Sequence, residues 1–126
     1  MSFTEQELGS FVSGKCMYLA AALHRVRGWE IQAVIEPANC GYPPFVGHAW
    51  CVDPNTGNCV DIDGAYPTDQ NGWVRPDNEL VVGLDEDSLR QLTLVGTSQP
   101  FTPEQWDREV VGTLSIVQEY LLPRVE

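Results

Sequence analysis

A thiol at Cys16, an imidazole at His48 and carboxylates at Asp61 and Asp63 are the side-chain types that acyl transfer uses. A thiolate attacks a carbonyl carbon, an imidazole takes the thiol proton and returns it to the leaving group, and a carboxylate holds the imidazole in the productive tautomer. Of the two histidines in the chain, His24 falls on the same helix as Cys16, roughly 12 Å further along its axis and out of reach of the sulfur. His48 is therefore the candidate base. Taken singly, each residue also has an ordinary role. Cys16 suits the apolar face of a helix, His48 a solvated turn, and the two acids the end of an edge strand.

The elements around these residues decide whether they meet. Cys16, Leu19, Ala20, Leu23 and Val26 recur at helical spacing, which predicts a helix over 15–27, with Gly28 as its C-terminal cap and Ser13 and Gly14 where an N-cap is wanted. Cys16 then lies in the first turn, where unpaired amides and the positive end of the helix dipole favour a thiolate, and where an amide stands ready for an oxyanion. Residues 29–36, WEIQAVIE, are rich in β-branched and aromatic side chains and predict a strand. Two short β-prone runs, 48–52 and 58–62, flank the turn formers DPNTG and predict a hairpin.

Asp61 and Asp63 are two apart on the returning strand and point to one face of the sheet. If Trp50 pairs with Asp61, the loop is the four residues 54–57, and His48 reaches either acid directly or diagonally. If Cys51 pairs with Cys59, both acids face away from it.

Further along, residues 64–79 are expected to form a long surface loop, 79–84 a strand and 84–92 a short helix. A final helix starts from Thr102, with Pro103 at its first position and Gln105 completing a capping box. Its face is Trp106, Val110, Leu114, Val117 and Leu121. The order helix, strands, helices predicts an α+β fold in one domain over 1–126, with the helices on one side of an antiparallel sheet.

The arrangement GKCMYLAAALHRVRGW, then GHAWCV, a turn, and VDIDG resembles the papain-like and transglutaminase-like superfamily of thiol enzymes over residues 14–64. Its members set a cysteine at a helix N-terminus and a histidine and an acid on successive antiparallel strands. That resemblance implies a small papain-like fold with Cys16 as nucleophile, His48 as base and Asp61 as orienter, Asp63 being the alternative. The implied activity is thiol-dependent acyl transfer on a protein or peptide, such as that of a cysteine peptidase or a toxin-like glutamine deamidase, without a cofactor. Gln6 is the upstream amide available for an oxyanion role.

Composition bounds the alternatives. Seven Lys and Arg against 18 Asp and Glu leave a net charge of −11, which argues against contact with nucleic-acid phosphates or an anionic membrane and favours a basic macromolecular partner. Residues 53–126 carry fourteen of those acids. A second reading follows: an acidic, non-enzymatic protein that covers a basic surface of a partner. No basic and apolar leader is evident at the start of the sequence, so a cytoplasmic location with reduced thiols is expected for Cys16, Cys40, Cys51 and Cys59. A zinc site built from His48, Cys51, Cys40 and Cys59 is disfavoured because positions 48 and 51 of a strand face opposite ways.

Overall fold

Thr4 opens the first helix, α1 (Glu5–Gly9), with a capping box in which its hydroxyl accepts from the Glu7 amide and the Glu7 carboxylate reaches back. The protein is described by a computed structural model over residues 3–11, 15–36, 45–72, 80–95 and 102–126. Helix α2 (Cys16–Arg27) begins at the candidate nucleophile. Ser13 and Gly14, expected at its cap, lie outside the described residues, and Lys15 occupies the N-cap position without a side-chain cap bond. Leu19, Ala20, Ala21, Ala22 and Leu23 are all buried, so the middle of α2 is enclosed on more than its predicted face. Gly28 ends the helix at φ 71°, a left-handed conformation that suits glycine, and its amide donates to the His24 carbonyl at 2.7 Å. His24 Nδ1 donates to the Trp29 carbonyl at 2.7 Å, so this histidine secures the helix end.

Among the described residues five strands form one antiparallel sheet in the order β4-β3-β2-β1-β5. They are β1 (Glu30–Glu36), β2 (Phe45–Val52), β3 (Cys59–Asp61), β4 (Gly64–Tyr66) and β5 (Leu80–Leu84). The segment 64–79, expected to be a loop, instead holds β4 and a 3-10 turn, Thr68–Gln70, while its residues 73–79 lie outside the described residues. The physical reason is tertiary. A three-residue strand is too short to show alternation, and β4 is held by pairing Cys59 with Tyr66 and Asp61 with Gly64.

Helix α3 (Glu86–Val95) is capped by Asp85, whose Oδ1 accepts from the Ser88 amide at 2.7 Å. Helix α4 (Pro103–Ile116) starts at the predicted Thr102 and Gln105 capping box. It runs through a π-turn, Val117–Leu121, into α5 (Leu122–Val125). Pro123 accounts for the turn, since a proline ring has no amide hydrogen and crowds the carbonyl four residues back.

The main core joins both layers: Leu19 and Leu23 of α2, Ile31, Ala49, Cys51 and Val60 of the strands, Leu89 of α3, and Trp106, Val110 and Leu121 beyond. A smaller cluster, Val34, Trp50 and Cys59 with Val52 and Tyr66, is built from strand residues. The fold is thus α+β, with the helices packed on one side of the sheet. Arg25 ties three helices together, its Nε donating to both Glu86 oxygens at 3.0 Å and its Nη1 to Asp107 at 2.8 Å. No helix among the described residues is long and apolar enough to cross a membrane.

Candidate active site

The position of Asp61 follows from the hairpin between β2 and β3. Cys51 pairs with Val60 and Val52 with Cys59, and continuing that register sets Trp50 opposite Asp61. The turn enforces it. The Asp53 amide donates to the Asn58 carbonyl at 3.0 Å and the Gly57 amide to the Asp53 carbonyl at 2.7 Å, closing a loop over 54–57. Gly57 sits at φ 75°, where a side chain is strained. Asp53 Oδ1 also accepts from the Asn55 amide at 2.9 Å, the local bond that makes aspartate a turn former.

His48 is aimed by a bulge. Val34 pairs with His48 but Ile35 pairs with Val46, so Gly47 is an extra residue in β2. Bulges bend a strand and redirect its side chains. The imidazole lies beside the Trp50 ring, centroids 6.0 Å apart and planes 32° apart, and His48 is 1% exposed.

His48 Nε2 meets Asp61 Oδ2 at 2.9 Å. Asp61 is 2% exposed yet well supplied with donors, since Tyr66 Oη donates to Oδ2 at 2.5 Å and the Asp63 amide donates to Oδ1 at 2.9 Å. Asp63 itself is exposed, so of the two acids it is Asp61 that meets the imidazole, with Asp63 contributing its backbone. Cys16, which is 5% exposed, lies near enough to the imidazole to act on its charge. Burial alone would lower the His48 pKa. The hydrogen bond that the ring donates to Asp61, and then the interaction with Cys16, outweigh it and raise the value to about 9. Cys16, His48 and Asp61 are therefore brought together, and the charged imidazole is the favoured form at neutral pH.

The backbone adds a further feature. The Lys15 carbonyl accepts from the amides of Tyr18 at 3.1 Å and Leu19 at 3.3 Å, so the Cys16 and Met17 amides precede the first intrahelical bonds. A cleft of about 560 Å³ runs between α1 and α4, lined by Gln6, Phe11, Lys15, Glu109 and Gly112 but by none of Cys16, His48 and Asp61. It brings Gln6 to the wall next to the start of α2.

The remaining cysteines sit elsewhere. The Cys51 thiol donates to the Ala20 carbonyl at 3.2 Å, and burial pushes its pKa far up. Cys59 accepts from Asn71 Nδ2 at 3.6 Å. Cys40 lies outside the described residues. Among the described residues no group of three His, Cys, Asp or Glu side chains stands close enough to share a metal ion.

The sequence pattern does not point to Tyr66 or Gly47. Tyr66 falls in the segment 64–79, where the sequence predicts a loop, and a bulge depends on the neighbouring strand rather than on local pattern. The one available signal was the spacing of Tyr66 from Asp61, five residues across a tight turn. No protein-family model, curated protein or solved structure matches the chain.

Proposed function

We propose that this protein is a thiol-dependent acyl-transfer enzyme of the papain-like and transglutaminase-like kind, acting on an amide of a protein or peptide as a cysteine peptidase or glutamine deamidase does. The observation that carries this reading is one buried imidazole engaged by both Cys16 and Asp61. The Cys16 thiolate attacks the amide carbon, forming the C–S bond while the C=O pair moves onto oxygen. The Cys16 and Met17 amides, which precede the first intrahelical bonds, are the donors closest in sequence to that charge. As the carbonyl re-forms, the C–N bond breaks and His48 delivers its proton to the leaving nitrogen, so the amine or ammonia departs neutral. Neutral His48 then takes a proton from water, whose oxygen attacks the thioester carbon. The C–S bond breaks, and the carboxylic acid leaves with the thiolate and imidazolium restored.

Asp61 keeps Nε2 protonated, which leaves Nδ1 to serve the sulfur and the leaving group. A reducing compartment such as the cytoplasm suits this chemistry, because an oxidised Cys16 is no nucleophile. The test is acylation by p-nitrophenyl acetate, followed by p-nitrophenol release and peptide mass mapping. One acetyl group should appear on Cys16, be absent from Cys16→Ala, and form about 100-fold more slowly in His48→Ala. Acetylation spread over lysines and the other cysteines without preference for Cys16 would overturn the proposal.

A further inference from the structure

Asp61 Oδ2 is shared: His48 Nε2 lies 2.9 Å from it and the Tyr66 hydroxyl 2.5 Å. We infer that Tyr66 is a positioning residue of this site, its hydroxyl dividing the charge on Asp61 Oδ2 with the imidazole and so setting how firmly the carboxylate holds the His48 proton. This rests on Cys16, His48 and Asp61 acting as the catalytic unit.

Three observations support it. The bond is short, as hydrogen bonds to a carboxylate are when charge-assisted. Burial and then the adjacent Asp61 raise the Tyr66 pKa far above its ordinary range, so the phenol keeps its proton and remains a donor. And the contact joins β4 to the end of β3, fixing the carboxylate from the strand on its far side from β2. Among the described residues, the titratable groups that act on these side chains include Cys16 from α2 and Asp61 from β3 at His48, and Asp61, Cys59 and Asp63 at Tyr66.

The consequence for catalysis is a matter of acid strength. An imidazolium held too firmly by its carboxylate is a poor proton donor to the leaving nitrogen, and the phenol relieves that hold by taking part of the charge on Oδ2. Removing the hydroxyl leaves His48 as the stronger claimant on that oxygen.

The experiment follows the His48 ring by NMR titration in the full chain, with Cys16 acetylation rates measured in parallel. In Tyr66→Phe the His48 midpoint should rise by roughly half a unit or more, and acetylation of Cys16 by p-nitroacetanilide, whose leaving nitrogen needs the His48 proton, should slow at pH 7 by about 3- to 10-fold. Replacing Tyr66 by 3,5-difluorotyrosine, a stronger donor of the same shape, should lower the midpoint, and this variant keeps the test decisive if the Phe protein folds poorly. In an Asp61→Asn background Tyr66→Phe should add nothing to the midpoint. A midpoint unmoved in folded Tyr66→Phe and in the fluorinated protein would overturn the inference while leaving the acylation chemistry intact. Conversely, a moved midpoint in a protein whose Cys16 resists acetylation would uphold the hold of Tyr66 on Asp61 but refute the enzymatic reading, and with it the positioning role.

Discussion

At the scale of single residues, the decisive one is His48, because its charge couples the site to stability. Its folded value of about 9 exceeds the ordinary 6.5 of an imidazole, and a group with a raised pKa stabilises the fold most when both states are protonated. That contribution is complete below pH 6.5 and disappears as pH rises through about 9. Urea unfolding between pH 6 and 9.5 should therefore show the midpoint falling across this window in the wild type, and a much flatter course in His48→Gln. Equal slopes in the two proteins would mean that His48 carries no such charge. That His48 rather than His24 is the imidazole near Cys16 was legible from residue type, since His24 was too far along the helix and only one other imidazole remained. Asp61 against Asp63 was not, because the choice depends on register, which two residues on the same face of a strand cannot reveal by themselves.

At the scale of elements, the hairpin turn does the selecting. A one-residue slip would send Asp61 to the other face of the sheet. Gly57 at φ 75° holds the turn in place, and a Cβ there meets nothing within 4 Å, so substitution costs backbone strain without a clash. Gly57→Ala should lower unfolding free energy by about 1 kcal/mol, seen as a reduced urea midpoint at unchanged slope. A stability unchanged within error would show that the turn tolerates the strain.

The turn itself was visible in DPNTG, and so were the helix of Cys16, with its Gly28 cap, and the Thr102 capping box of α4. What could not be seen were elements whose existence depends on partners. Helix α1 has only five residues and none of them is buried. Strand β4 is three residues long and exists through its ladder with β3. The Gly47 bulge is a mismatch between two strands rather than a property of either.

At the scale of the whole molecule, the acidity and the thiol lead to different pictures. The run Asp85, Glu86 and Asp87 could be taken for a docking charge, but each of its members is committed within the fold. Asp85 caps α3, Glu86 binds Arg25 and the Trp106 indole, and Asp87 pairs with Arg90. These acids therefore report on folding as much as on surface charge. The thiols, by contrast, are separated by environment. Cys16 alone among the described cysteines combines a helix start with an imidazole, whereas Cys51 is sealed in the core and Cys59 lies against Asn71.

The measurement that bears most directly on this difference is the rate of iodoacetamide alkylation at each cysteine, followed by peptide mass spectrometry from pH 5 to 10 at limiting reagent. Cys16 should be labelled first, at least about 10-fold faster than Cys40, Cys51 or Cys59 at pH 7, and the preference should collapse in His48→Ala. Equal labelling of the four, or a Cys16 rate indifferent to the loss of His48, would contradict an activated thiol at this site.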